Sequence, residues 1–372
     1  MKVETLAVHA GGAPDPSTGA VAPPIVLATT YEHGPASESL HGFSYIREDN
    51  PTQARLEEAL KAVEGGEAAL AFASGMAAGT AYLQALPAGA HVLFQDDLYY
   101  DFRNVGHDHL PRWGMSATSV DMGDLDAVRA ALRPETKLVW IETPSNPLMK
   151  VCDIAAVGTL AHAVGARLLV DGTFAPPTIQ RPLDLGADAV LHSTTKYLGG
   201  HSDVQGGGLV FRKRDELFER TRHNRKVLGG VASPFNSWLV LRGLRSLACR
   251  VERHCANAFA VARFLLKHPA VYAVHYPGLE AHAGHLVAKR QMRAFGGMLS
   301  FQVNGGRDAA VGVVSRVRLF LPATSLGGTE SLIEHRRSSE GPTSQTPDDL
   351  VRVSVGLEHP EDLIEDLGQA LK

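Results

Sequence analysis

One lysine, Lys196, stands in "HSTTKYLGGHSD" (192–203) between hydroxyl residues and a glycine pair, directly after the apolar run "ADAVL". A lysine at the end of a buried strand can lose its proton when desolvated and then form a Schiff base with a carbonyl. A nucleotide-binding Walker loop needs glycines before its lysine, and here Ser193, Thr194 and Thr195 fill that side. Other apolar runs end in further reactive or binding groups: "SGMAAG" (74–79), "DDLYYDFR" (96–103), "ETPSNP" (142–147) and "VDGTF" (170–174). Ser74 and Gly75 precede the helix-like "MAAGTAYLQAL", so free N–H groups at a helix start could seat a phosphate. Asp171 closes the most hydrophobic of these runs, where an unpaired carboxylate is costly, and it therefore wants a cationic partner. Taken singly, Asp171 reads as an N-cap, Tyr99 as a core aromatic, and Ser193 and Thr195 as turn formers. Jointly they place phosphate donors, a ring partner and a lysine at the strand ends of one sheet.

The elements that must position these groups follow from the apolar pattern. Runs at 68–74, 91–97, 137–143, 166–172, 188–193 and 207–211 each read as a strand buried on both faces, most of them separated by helix-like stretches such as "LDAVRAALRPE" and "IAAVGTLAHAVG". That alternation predicts an α/β fold with a mostly parallel sheet, in which ligands sit outside the carboxyl ends of the strands. From residue 233 the pattern changes to a long helical stretch, "CRVERHCANAFAVARFLLKH", and the short strand candidates "GGMLSFQV" and "LVRVSVG". The division predicted is an N-terminal arm over 1–55 that contacts a neighbouring subunit, a large cofactor-binding domain over 56–232 and a smaller C-terminal α/β domain over 233–372. The stretch "RRSSEGPTSQTPDD" (336–349) reads as an exposed loop.

Composition narrows the class. The chain has 372 residues, 44% of them hydrophobic and 20% charged, with a formal net charge of -4, the profile of a globular protein without the basic surplus that attracts nucleic acid. The N-terminus lacks a signal-peptide core and no run approaches a membrane span, so a cytoplasmic location is expected, with no membrane partner. Cys152, Cys249 and Cys255 form an odd, sparse set that reads as free buried thiols. The pairs in "HDH" (107–109) and "HAGH" (282–285) lack a third ligand, and no metal site is expected.

A protonated pyridine nitrogen would satisfy Asp171, and pyridoxal phosphate combines that need with a lysine Schiff base. The segments "SGMAA", "ETPSNP", "VDGTF", "STTKYLGGHSD", "SLGGTESL" and "LVRVSVGLEHPEDLIEDLGQAL", in this order, resemble the Cys/Met-metabolism family of pyridoxal-phosphate enzymes over nearly the whole chain. The resemblance implies the fold type I architecture of pyridoxal-phosphate transferases. It further implies that Lys196 carries the cofactor, Asp171 pairs with its ring nitrogen and Tyr99 stacks on the ring. Ser74, Gly75, Met76, Ser193 and Thr195 would surround the phosphate, and Asn146 would lie near the phenolic oxygen. Tyr45 and Arg47 would reach the phosphate of an adjacent subunit, as in a homo-oligomer whose usual form is a tetramer built as a dimer of dimers. Arg352 would clamp the α-carboxylate of an amino-acid substrate, with Ser331 and Asn146 beside it and Glu330 at the acidic position of the γ-synthase and γ-lyase branch.

The activity implied is carbon–sulfur chemistry on a sulfur amino acid. Cystathionine γ-lyase comes first, then cystathionine γ-synthase, then cystathionine β-lyase or methionine γ-lyase, with a non-catalytic binding protein of the same fold as the rival from another class. The sequence departs from the family's pattern at Ser44, which replaces an acidic residue, and at "YYDFRN", which gives Tyr100, Asp101 and Asn104 with Arg103 one place early.

Overall fold

The computed structural model describes residues 1–341 and 344–372. Its larger sheet contains, in chain order, β1 (Ala68–Phe72), β2 (His91–Gln95), β3 (Ser116–Val120), β4 (Thr136–Glu142), β5 (Arg167–Asp171), β6 (Ala189–His192) and β7 (Gly207–Phe211). Across the sheet they run β1-β7-β6-β5-β4-β2-β3. Neighbours from β3 to β6 pair in parallel, and β7 runs against both β6 and β1. Six strands therefore share one direction, and their carboxyl ends form a single edge. The continuous apolar runs arise because helices cover both faces, leaving β1, β2 and β6 buried at every residue. Only β3, "SATSV", lacks this signature, since it lies at the sheet edge and is largely exposed; the sequence pattern passes over it.

Local chemistry fixes where the helices start. Asn50 caps the helix Pro51–Glu64 by accepting from the N–H groups of Thr52 and Gln53, Asp124 caps Leu125–Ala131, and Asp153 caps Ile154–Ala163. The helix Gly75–Leu83 starts from Ser74, whose hydroxyl accepts from Ala77 N–H at 3.0 Å. Gly207 lets β7 pass this start closely: a Cβ there would stand 2.1 Å from the Ser74 carbonyl oxygen and 2.7 Å from the Gly75 nitrogen.

The second sheet contains β8 (Val271–His275), β9 (Met298–Val303), β10 (Leu321–Pro322), β11 (Leu332–His335) and β12 (Leu350–Ser354), in the order β10-β11-β12-β9-β8. β9 and β12 match the two strands expected from the sequence. The helix Leu247–Leu265 joins the two cores, with Leu247 and Val251 packed in the larger one and Ala258, Val261, Ala262 and Leu265 in the smaller.

Three expectations are corrected. The first residues are not all extended: Val3–His9 is a short helix that buries Val3 and Ala7 beside Val63. The stretch 336–349 is not simply an exposed loop. It opens with the helix Arg336–Glu340, and Arg336, Glu340, Ser344 and Thr346 are buried by mutual hydrogen bonding and ion pairing; Pro342 and Thr343 lie outside the described residues. Of the thiols Cys152 is buried and Cys255 half-buried, but Cys249 is exposed, donating weakly to the Ser246 carbonyl in the first turn of its helix. Among the described residues no helix is long and apolar enough to cross a membrane.

Candidate active site

The carboxyl ends of the strands converge on a cavity of about 400 Å³. Its floor is made by the larger sheet and the loops that leave it. Ser74, Gly75 and Met76 supply the helix start, Tyr99 follows β2, Glu142 and Asn146 follow β4, Asp171 ends β5, and Ser193, Thr195 and Lys196 follow β6. The main chain brings Gly75 and Ser193 together: a Cβ on Gly75 would come within 3.1 Å of the Ser193 Cβ. Ser193 N–H donates to Thr173 Oγ1 at 2.9 Å, while no hydrogen bond engages its hydroxyl among the described residues. The Thr195 hydroxyl already donates to the Gly206 carbonyl at 3.2 Å and accepts from Gly206 N–H at 3.0 Å.

Asp171 is 4% exposed, and its Oδ1 accepts from Thr173 N–H at 2.9 Å. Among the described residues it has no ion-pair partner. Burial pushes its pKa up against the pull of the Thr173 hydrogen bonds and, more weakly, of His192. Lys196 Nζ donates to Ser325 Oγ at 2.7 Å. Burial first, then the Arg352 and Arg336 guanidiniums, push the Lys196 pKa down to about 8. Tyr99 is held through its N–H, which donates to Glu142 Oε2 at 2.8 Å, and burial and the Asp101 carboxylate push its phenol up to about 12. Burial beside Asp171 in turn holds Glu142 well above the usual carboxylate range.

The opposite wall comes from the second sheet and the helix Arg336–Glu340. Arg352, on β12, is 4% exposed; its Nη1 donates to Asn146 Oδ1 at 3.0 Å, its Nη2 to the Ser325 carbonyl at 3.3 Å, and it is paired with Glu334. Glu334 also accepts from Arg336 Nη1 at 3.2 Å, and Arg336 Nε donates to Glu340 at 3.0 Å. Guanidiniums and carboxylates thus alternate along the wall. Burial lowers the Arg352 pKa to about 10 despite Glu334.

The cavity brings together Lys196, Tyr99, Asp171, Ser74, Gly75, Met76, Asn146, Ser193, Thr195 and Arg352, as the sequence suggested. Four other residues lie elsewhere. Ser331 is buried in a structural bond, its hydroxyl donating to Glu358 at 2.8 Å and accepting from Gly356 N–H at 2.8 Å. Glu330 is bonded to Ser202 and accepts from Thr329 at 3.0 Å. Tyr45 and Arg47 are exposed; the Arg47 guanidinium stands 5.4 Å from the Tyr45 ring centre and donates to the Lys226 carbonyl at 3.2 Å. Residues that sequence reasoning missed are Ser325, Arg336 and Glu340, together with Glu142 and Thr173. Ser325 carries a signal only in hindsight, as a non-glycine residue at φ 84° before the glycines of "SLGG". Arg336 and Glu340 gave none, because their stretch is rich in small polar residues.

The residues present fit pyridoxal phosphate. A buried carboxylate with no ion-pair partner among the described residues lines the cavity, unspent N–H groups and a hydroxyl border the Gly75–Ser193 cradle, and a lysine of lowered proton affinity lines the same cavity. Fold and cavity together define a pyridoxal-phosphate enzyme of the α/β class. The chain belongs to the Cys/Met metabolism PLP-dependent enzyme family, whose sequence model matches residues 4–372. It is therefore an enzyme of cysteine and methionine metabolism, of the trans-sulfuration type. The chain is 49% identical over 373 residues to cystathionine gamma-synthase of Mycobacterium tuberculosis, covering 99% of this chain and 96% of that one. It is 44% identical to cystathionine gamma-lyase of Bacillus subtilis, covering 100% of both. Among solved structures, that of metB from Corynebacterium glutamicum superposes with a TM-score of 0.97 at 42% identity, over 100% of this chain and 98% of that one.

Proposed function

We propose that this chain is a γ-replacement enzyme of the cystathionine γ-synthase kind, joining the γ-carbon of an O-acyl-homoserine to the thiol of cysteine. The observation that carries this reading is the 49% identity, end to end, with the mycobacterial synthases, against 44% with the lyase of Bacillus subtilis. Sequence reading alone set γ-elimination of cystathionine first; the relatives reverse that order.

The residue roles follow from chemistry. The N–H groups of Gly75 and Met76 and the hydroxyl of Ser193 would hold the cofactor's phosphate, with Ser74 shaping the turn and Thr195, already bonded to Gly206, closing the cradle. Asp171 would face the ring nitrogen, Tyr99 would stack on the ring, and Asn146 would lie beside it. When bound, pyridoxal phosphate supplies the electron sink for negative charge at the substrate's α-carbon. Arg352 receives the α-carboxylate, and Asn146 and Glu334 keep its guanidinium from turning. Lys196 Nζ takes a proton from the α-carbon, which its lowered pKa of about 8 permits near neutral pH, and since one amine holds only one such proton it passes that proton on before taking the next from the β-carbon. The bond from the γ-carbon to the ester oxygen then breaks and the acid leaves as its carboxylate; the cysteine S–H bond breaks as the sulfur bonds to the γ-carbon, its proton passing to solvent, and the β- and α-carbons regain one proton each, in turn, by way of Nζ.

The phosphate end has no cation of its own, since Lys196, Arg336 and Arg352 are the cationic side chains that line the cavity among the described residues. Exposed Arg47 of a second copy would supply the missing charge and its Tyr45 a hydroxyl donor, so the working unit would be at least a dimer, and a tetramer if dimers pair.

The test offers the holoenzyme an O-acyl-homoserine with and without cysteine and identifies products by mass spectrometry. Cystathionine as the main product in the presence of cysteine supports the reading. Release of 2-oxobutyrate at the same rate whether or not cysteine is present, with no cystathionine, would refute it and favour elimination.

A further inference from the structure

The distal half of the cavity holds charged groups that the reaction above does not use. Arg336 is gripped from two sides, its Nε donating to Glu340 at 3.0 Å and its Nη1 to Glu334 at 3.2 Å, while among the described residues no hydrogen bond uses Nη2. Both glutamates are already engaged by several donors. Glu340 also accepts from Ser344 at 2.6 Å and Thr346 at 2.8 Å and lies 3.7 Å from Arg103, and Glu334 also serves Arg352 and Ser339. Their shared effect is to fix Arg336 against the cavity. Asp101 is different: half-buried, it lines the same cavity, bonds to the Tyr99 side chain and has no ion-pair partner among the described residues. The Tyr99 ring also meets Arg336, whose guanidinium carbon lies 5.9 Å from the ring centre. One anion and one cation with bonding capacity to spare therefore flank a single tyrosine.

Charge balance selects the ligand. In this region three guanidiniums, those of Arg103, Arg336 and Arg352, face three carboxylates, those of Asp101, Glu334 and Glu340. An α-carboxylate on Arg352 already leaves one negative charge in excess. A further carboxylate alone would add another, in a setting where uncompensated charge is expensive; a group bearing both an ammonium and a carboxylate adds none. We infer that Asp101 and Arg336 together recognise the zwitterionic head group of a second amino acid, with its ammonium on Asp101 and its carboxylate on Arg336 Nη2. This rests on the proposed reading only in seating the first α-carboxylate on Arg352. It assigns specificity to two residues on segments that depart from the family's pattern or read as a bare loop. It also selects acyl donors whose acyl group is uncharged over those that carry a second carboxylate.

The test is binding to the holoenzyme, followed by the change in absorbance of the bound cofactor, with three ligands of equal chain length that have no leaving group. α,α′-Diaminosuberate carries an amino-acid head group at each end, α-aminosuberate lacks the distal ammonium, and α-aminooctanoate lacks the distal charges altogether. The inference expects α,α′-diaminosuberate to bind about tenfold or more tightly than either of the others, as a site with paired polar groups should discriminate. Asp101→Asn and Arg336→Gln should each reduce that ratio to within about threefold. Binding of α-aminosuberate as tight as that of α,α′-diaminosuberate in the unmodified protein would overturn it, and that comparison needs no variant to fold. Survival of the full preference in Asp101→Asn, a change at a half-buried site, would overturn it as well. The ligands are not turned over, so a failure to make cystathionine counts against the proposed reaction and leaves this preference to be measured by itself.

Discussion

Asp171 on the floor of the cavity and Glu334 behind its distal wall are both buried carboxylates, 4% and 6% exposed, yet among the described residues Asp171 has no ion-pair partner and Glu334 has two. Among the described residues the floor keeps groups unspent: an Asp171 bonded by Thr173 alone, a Ser193 hydroxyl without a hydrogen bond, a lysine held away from its usual proton affinity. The wall pairs its charges, with Arg352, Glu334, Arg336 and Glu340 joined in an alternating series and Arg336 Nη2 left over. A floor of this kind is less stable empty than it could be and gains from a ligand, whereas such a wall is preorganised and holds its shape without one. Perturbing the two should therefore have opposite signatures.

The sharpest break is Lys196→Ala. It removes the one lysine that lines the cavity among the described residues, and formation of the product, cystathionine on the reading proposed above, should fall by about 10³-fold or more. A loss smaller than about tenfold would mean that another group moves the protons. On the wall, Glu334→Gln leaves two buried guanidiniums sharing a neutral amide and should destabilise the protein by about 3 to 5 kcal/mol, read from the urea midpoint. A midpoint shift worth under about 1 kcal/mol would show that the wall does not depend on this carboxylate.

On the floor the sign should reverse. Asp171→Asn removes an unpaired buried charge while the amide oxygen can still accept from Thr173, so the cofactor-free protein should gain about 1 to 3 kcal/mol at neutral pH while binding pyridoxal phosphate more weakly. Because the Asp171 pKa is raised on folding, the folded state holds this proton more tightly than the unfolded chain. The stability tied to that proton is lost as pH rises above the ordinary value of 3.8, so the advantage of the variant should grow with pH. A variant less stable than the parent at every pH would contradict this.

The smallest effect is kinetic. Only the neutral amine of Lys196 attacks an aldehyde, so recombination of the cofactor-free protein with pyridoxal phosphate should quicken as pH rises, with a midpoint near 8 rather than near 10.5. Stopped-flow absorbance over that range decides between the two.

The same contrast explains what the sequence made legible. The floor hangs on strands buried on both faces, whose apolar runs announce them, and each run ends in a group that has little reason to be there except chemistry. "VDGTF" and "HSTTK" are readable for this reason. The wall hangs on β11, β12 and a five-residue helix, and only β12 and its Arg352 stood out. "RRSSEG" looks like a solvated loop because part of what buries it is not local in sequence: Glu334 on β11, which pairs with Arg336, is also tied to Arg352 on β12, and Glu340 lies near Arg103 from the larger sheet's side. β3 escaped because an exposed edge strand carries no apolar signal. Glu330 and Ser331 sit in the "SLGGTESL" segment as expected, but they bond to Ser202 and Glu358 and leave the cavity to Ser325.

The account turns on Lys196 as the residue that carries the cofactor. The direct measurement is borohydride reduction of the protein loaded with pyridoxal phosphate, followed by proteolysis and peptide mass spectrometry, which fixes the cofactor to whichever lysine held it. The account predicts the pyridoxyl mass on the peptide containing "STTKYLGG", at Lys196. Its appearance chiefly on another lysine, or a protein that retains no cofactor mass after reduction, would contradict it.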